Sequence, residues 1–166
     1  MIDIFAADEQ RDVAIDLERW TELTRAALDD EGVRGLVEVS LIFTDEVTMA
    51  GLNQQFMGQS GSTDVLSFPI DEEPEPGGRS PDSGGTGPGD PSVPDIPQLL
   101  GDIVVCPAVA ARNAVDHEQS TQDEIALLIV HGVLHLLGWD HEIDEEAERM
   151  EQRERELLDR HYRARP

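Results

Sequence analysis

Cysteine occurs once in this sequence of 166 residues, and lysine does not occur at all. The single thiol, Cys106, excludes an internal disulfide framework and a zinc site built from several cysteines, which fits a reducing compartment. Apolar runs of the roughly 20 residues needed to cross a bilayer are also missing. The N-terminus has neither the basic start nor the apolar run of a signal peptide. We therefore expect a cytoplasmic protein with no membrane partner.

Positive charge is scarce throughout the chain. Twelve basic side chains, all of them arginine, stand against 36 acidic ones, which gives a formal net charge of −24. Because an anion is repelled by a field of its own sign, this balance argues against a general nucleic-acid binder or a binder of anionic membranes. An anionic substrate would need a locally positive site to overcome the repulsion.

The length fits one domain, 1–166, with a single core. A segment at about 71–98 is acidic, crowded with proline and glycine, and poor in aliphatic side chains. Such a segment cannot bury enough apolar surface to offset the entropy of ordering it, so it is predicted to be a disordered loop inserted between two strands. A lid or docking role and a merely tolerated insertion both fit this composition.

Outside that loop, the apolar pattern predicts helices and strands that alternate around one small sheet, an α+β fold. The predicted strands are short β-branched runs at 2–5, 37–43, 65–69 and 102–106. The predicted helices lie at 15–28, from Thr44 to about 56, at 107–117, at 121–138 and at 143–162. Thr44 and Thr121 are the predicted N-caps, Thr121 in a capping box with Glu124.

Three of the five histidines, His131, His135 and His141, fall within one short stretch. On a helix the first two project from one face about one turn apart, so both imidazoles can bind one metal ion. Gly138 lets the chain leave the helix through a left-handed turn, which brings His141 back towards the same point. Three neutral imidazoles suit zinc, although nickel, copper and iron also accept them. The alternative, histidines that only pack in the core, leaves unpaired polar rings on an apolar helix.

Three histidines leave one position of a tetrahedral zinc ion open, which is typical of hydrolytic sites. A closed structural site with Cys106 as fourth ligand is the alternative. The spacing also matches zinc proteases that carry a glutamate, their general base, directly after the first histidine. Gly132 occupies that position here and cannot take a proton. The base is then hydroxide on the metal, a more distant carboxylate or a group of the substrate.

The run HGVLHLLGWDH at 131–141 resembles the signature of the bacterial YbeY endoribonucleases, also called rRNA maturation factors. Upstream blocks match the same family in the same order: Leu52-Asn53 with Phe56, then 63–69 and 101–104. The resemblance covers the whole chain except the loop. It implies a zincin-like α+β metallohydrolase, a small mixed sheet packed with helices. It also implies one zinc ion held by His131, His135 and His141 at the end of a central helix, with the strand at 63–69 bordering the cleft.

The function implied by this resemblance is cleavage of single-stranded RNA in 16S rRNA 3′-end maturation and ribosome quality control. The implied partners are rRNA, the small ribosomal subunit and its assembly factors. Two other readings stay open: a ribosome-assembly binding factor whose metal is mainly structural, with little nuclease activity, and a metal hydrolase of another substrate. The attacking group, water or the ribose 2′-OH, is also open. Because of the net charge, RNA binding should rest on the metal and a few arginines and should depend weakly on salt.

One position departs from the family pattern. The family often has an arginine for the RNA phosphate after the aromatic of the upstream block, but here the residue is Met57. A thioether cannot replace a bidentate phosphate fork, so another arginine takes that role or catalysis is weaker. Asp140 is a catalytic candidate, as a proton acceptor or orienting group, or else a turn former. Trp139 either stacks on a base or packs over the helix end. The replacement candidates are Arg34, Arg112 and the C-terminal arginines.

Overall fold

The computed structural model describes residues 2–69, 98–139 and 143–163. Its centre is a four-stranded sheet with the strand order β1-β2-β4-β3. β1, β2 and β4 run parallel, and β3 is antiparallel to β4, so the predicted mixed sheet is confirmed. The strands are β1 (Ile2–Glu9), β2 (Val37–Thr44), β3 (Val65–Pro69) and β4 (Gln98–Val105).

β1 and β4 extend four residues beyond their predicted bounds, and β2 extends one residue, to Thr44. β1 continues to Glu9, and β4 begins at Gln98, the last residue of the predicted loop. The remainder of that loop lies outside the described residues. Both extensions pair with β2, where Glu9 lies opposite Thr44 and Gln98 opposite Val37. Backbone pairing with a neighbouring strand satisfies polar groups whatever the side chains are, so side-chain pattern alone underestimates strand length.

Five α-helices are found in the described residues, and with the sheet they make one α+β domain. They are α1 (Leu17–Asp30), α2 (Glu46–Leu52), α3 (Pro107–Asp116), α4 (Thr121–Leu136) and α5 (Asp144–Leu158). A π-helical turn follows α2 and another follows α5, at Asn53–Met57 and Asp159–Arg163.

The two predicted N-caps were each wrong by one residue. Asp45 caps α2 by accepting from the Thr48 amide at 2.8 Å, and Ser120 caps α4 by accepting from the Asp123 amide at 3.0 Å. Neighbouring threonine, aspartate and serine side chains all suit this position, so the local sequence does not choose between them. Glu124 is buried and binds the side chains of His117 and Gln119 instead of closing a capping box.

The sheet separates two apolar clusters. The larger one lies on the face covered by α1, α4 and α5 and includes Ile103 and Val105 of β4. The alternate residues Val104 and Cys106 belong to the smaller cluster on the other face, together with Met49, Leu66 and Val109. Helix α4 is therefore central to the larger core, as its nearly continuous apolar sequence predicted.

Candidate metal centre and cleft

Gly132 determines how closely α4 lies on the sheet. A Cβ atom at this position would lie 2.9 Å from Ile103 Cγ2 and 3.2 Å from Ser67 Oγ. The Ser67 hydroxyl donates to the Gly132 carbonyl oxygen at 3.5 Å. The position that carries a catalytic glutamate in zinc proteases is thus packed against β3 and β4. No side chain there has room to serve a metal site.

His131 and His135 lie side by side on α4. Their Nε2 atoms are 3.0 Å apart, and the ring centroids are 4.5 Å apart at 78°. Two nitrogen ligands of one tetrahedral zinc ion, each bound at about 2.0–2.1 Å, lie about 3.3 Å from each other. The two nitrogens are therefore spaced as ligands of a single ion, which is the arrangement that the one-turn spacing predicted.

Glu154 of α5 fixes the orientation of His131. Its Oε2 atom lies 2.5 Å from Nδ1 of His131, and the side chain is buried. A neutral imidazole that donates its Nδ1 proton to this carboxylate keeps the Nε2 lone pair for a metal. Metal-bound histidines usually have such a carboxylate behind them. The chemistry of the donor set thus fits a metal ion.

Sequence reasoning missed Glu154, although the sequence carries a signal for it. Met150, Glu154 and Leu157 are spaced so that they share the inward face of α5, and all three are buried. A carboxylate on an otherwise apolar face needs a polar partner inside the protein. The identity of that partner, His131, depends on how α5 packs on α4.

The third predicted ligand, His141, and the catalytic candidate Asp140 lie outside the described residues. Within the described ranges, no group of three or more His, Cys, Asp or Glu side chains is arranged to hold a metal ion.

The chain does leave α4 as predicted. Gly138 has φ +94°, its amide binds the His135 carbonyl at 3.0 Å, and the next amide binds the Leu134 carbonyl at 3.0 Å. These two bonds close the helix in a Schellman motif.

Cys106 is not placed to complete a closed metal site. It is fully buried in the smaller cluster, with the sheet between its side chain and α4. Burial raises the pKa of the thiol, which disfavours the thiolate that a metal ligand requires. A closed site with three histidines and this cysteine is therefore not favoured, because Cys106 lies in the smaller cluster whereas α4 packs in the larger one.

A cleft of about 390 Å³ opens beside the two histidines. Its other wall is the segment 64–67 with Pro69, so β3 borders the cleft as the resemblance implied. Asp64 in this wall accepts a hydrogen bond from Asn113 Nδ2 at 3.1 Å. A larger concavity of about 690 Å³ lies beside β1 and α1, but neither histidine nor cysteine lines it. The chemistry of the lining, not the volume, makes the smaller cleft the candidate functional site.

The chain is similar to known proteins over most of its length. A family model described as "Endoribonuclease YbeY" matches residues 5–162. The chain belongs to the YbeY family. Endoribonuclease YbeY of Salinispora tropica is 47% identical over 82% of each chain, and that of Thermobifida fusca is 44% identical over 88% of this chain and 86% of the relative. The solution structure of TM1509 from Thermotoga maritima is 28% identical, with a TM-score of 0.58 over 100% of this chain and 94% of that one.

Met57, at the position where YbeY proteins often have an arginine, lies in the cleft wall. Arg112 of α3 binds Glu46 with both terminal nitrogens, at 2.6 and 2.9 Å, and lowers the pKa of that carboxyl. The next residue of α3, Asn113, holds Asp64 in the cleft wall, but Arg112 itself is paired with Glu46 and is not among the described residues that line the cleft. Three other candidates are held by carboxylates at the end of α1: Arg34, Arg153 and Arg160.

Trp139 and His161 have structural contacts. The Trp139 indole packs partly buried against the larger core, and its Nε1 donates to Glu31 at 3.2 Å. This favours packing over the helix end rather than stacking on a base. His161 is partly buried, with its Nε2 atom 2.7 Å from Asp30 Oδ2. His117 is exposed and binds Glu124.

Proposed function

We propose that this chain is a zinc-dependent endoribonuclease that cuts single-stranded RNA in the cleft beside His131 and His135. Cleavage within RNA follows from its membership of the YbeY family, whose reported relatives are named endoribonucleases. The observation that supports metal dependence is the pair of Nε2 atoms 3.0 Å apart, with Glu154 behind His131. His141 is the proposed third ligand, as the motif implies.

The chain's own residues have separate roles in this proposal. A bound zinc ion supplies Lewis-acid stabilisation of negative charge on the phosphoryl oxygens and activation of water. Glu154 holds the His131 ring in the orientation that a ligand needs. Asp64 is the carboxylate in the described lining of the cleft, so it joins Asp140 as a candidate for moving the proton. Gly132 keeps α4 against β3 and so keeps the histidines beside the wall that receives RNA.

The biological setting proposed here follows from the family resemblance. The RNA would be the 3′ end of 16S rRNA, with the small ribosomal subunit and its assembly factors as partners in the cytoplasm. Nowhere in its described parts does the structure contain a helix long and apolar enough to cross a membrane. A binding factor with a mainly structural metal is not favoured, because the reported relatives are named for nuclease activity.

The decisive experiment combines metal content with cleavage of a single-stranded RNA oligonucleotide. The purified chain should carry one zinc ion, and His131→Ala and His135→Ala should lose both the zinc and the cleavage. His117→Gln is the matched control, because His117 lies away from the cleft lining and glutamine can still donate to Glu124. Wild-type cleavage rates in the two alanine variants would overturn the proposal. A protein that unfolds without metal and never cleaves RNA would instead favour the binding factor.

The ends of the products identify the attacking group. A 2′,3′-cyclic phosphate that disappears when the ribose at the cut is deoxy would show attack by the 2′-OH. Linear phosphate ends that form equally from the deoxy substrate would show attack by water.

A further inference from the structure

An exposed apolar surface continues from the cleft wall to the turn after α2. Met57 lines the cleft with His131 and His135 and is 44% exposed. The preceding residue, Phe56, is 56% exposed. Large apolar side chains that stay in water cost free energy relative to buried ones. A ligand that covers these two adjacent side chains at the edge of the cleft would gain the free energy of burying them.

The Phe56 ring is held in place from behind. Its centroid lies 5.2 Å from that of Phe68 on β3, with the rings edge to face at 66°. The turn itself is fixed by Asn53, which is buried and donates from Nδ2 to the Gly61 carbonyl at 3.0 Å. The Phe56 ring is thus held by an aromatic contact on a tethered turn, which reduces the entropy lost when a ligand stacks on it.

The lining of the cleft offers RNA little positive charge. Its described residues include neither arginine nor lysine, and the chain as a whole carries −24. Apart from a bound metal ion, the cleft therefore offers the phosphates little, and another source of affinity is needed. Stacking of a base on an aromatic ring supplies affinity without charge and tolerates any base, since every base has a π-face.

We propose that Phe56, supported by Phe68 and adjoining Met57, is the platform on which one unpaired base of the RNA stacks, next to the phosphate in the cleft. The inference rests on the proposed endoribonuclease function and names a feature of its substrate. In a duplex both faces of each base are covered by neighbouring bases, whereas a single strand can turn a base onto the ring. The platform thereby selects single-stranded RNA.

The test measures the RNA affinity of the zinc-loaded protein by fluorescence anisotropy, over times short enough that the oligonucleotide stays intact. Phe56→Ala and Phe56→Leu should bind a single-stranded oligonucleotide about 5- to 150-fold more weakly than the wild type, while Phe56→Trp should keep the affinity. Phe5→Ala is the matched control, because Phe5 is 66% exposed on β1 at the opposite edge of the sheet. In the metal-loaded enzyme the same change should appear in KM and leave kcat nearly unchanged.

Oligonucleotides with one abasic position locate the stacked base. At one position, loss of the base should weaken binding by the wild type as much as Phe56→Ala weakens binding of the intact oligonucleotide. The Phe56→Ala variant should bind the abasic and the intact oligonucleotides equally well. The slope of affinity against salt should be the same in both proteins, because stacking releases no counterions. If Phe56→Ala binds and cleaves RNA like the wild type, the platform is wrong and the surface serves another partner. If the wild type cleaves no RNA at all, the endoribonuclease function itself fails, whatever Phe56 does.

Discussion

At the scale of single residues, spacing along the helix was enough to predict the His131–His135 pair. Positions one turn apart share a face of any α-helix, so their proximity needs no tertiary contact. Glu154 could not be assigned in the same way. Its contact with His131 joins two helices that are well separated in the chain, and only their packing brings the carboxylate to 2.5 Å from Nδ1.

Replacing Glu154 by glutamine tests its role behind His131. The amide retains a hydrogen-bond acceptor but removes the negative charge, so we expect zinc affinity to fall by about 10- to 100-fold. Glu151→Gln, on the exposed face of the same helix, should leave the affinity unchanged. Competition with a chromophoric chelator measures the zinc affinity of both variants. Equal zinc affinity in the wild type and Glu154→Gln would show that His131 is oriented by something else.

At the scale of elements, the position of α4 depends on the absence of a side chain at Gly132. The sequence predicted this helix and its end at Gly138 from the apolar run and from the helix-ending glycine. The same sequence indicated only that Gly132 cannot act as a base. The contact with Ile103 and Ser67 explains why a glycine fits: the helix approaches the sheet too closely for a Cβ atom.

A methyl group at position 132 tests this packing. Gly132→Ala should lower the free energy of unfolding by about 1–3 kcal/mol, because the added Cβ meets Ile103 in a filled interface. Gly51→Ala in α2 is the control, since nothing lies within 4 Å of its added Cβ atom. There alanine should raise helix stability by about 0.5–1 kcal/mol. Urea unfolding measures the free energy of unfolding of both variants. An equal increase in this free energy in the two variants would mean that α4 has room for a Cβ atom beside the sheet.

At the scale of the whole molecule, the C-terminal region is tied to the end of α1. Asp30 accepts from Arg160 Nη1 at 2.6 Å, from His161 Nε2 at 2.7 Å and from Arg153 Nη2 at 3.3 Å. Burial alone would raise the pKa of Asp30, but these hydrogen bonds and the arginine charges outweigh it and lower the pKa to about 2. Arginines that the sequence offered as phosphate ligands therefore hold the last helix in place.

The lowered pKa of Asp30 predicts how stability changes with pH. Since the folded-state value lies below the ordinary value of 3.8, the stabilisation is fully present above about pH 4 and is lost as the pH falls towards 2. Asp30→Asn should cost about 2 kcal/mol of unfolding free energy at pH 7 and should flatten the profile in that acidic range. Asp29→Asn, which touches only the exposed Arg34 pair, should cost much less. An unchanged acid profile in Asp30→Asn would contradict the assignment.

The sequence by itself determined the α+β class, most helices and strands, the histidine pair and the family. These features depend on the periodicity and spacing of residues close together in the chain, and local backbone geometry turns such spacing directly into a shared face. The tertiary structure decided which side chains meet across elements. It placed Glu154 behind His131, put Cys106 in the smaller cluster and paired four of the arginines with carboxylates. Those contacts depend on how whole helices pack on the sheet. No local sequence pattern encodes the distance or the angle between packed elements.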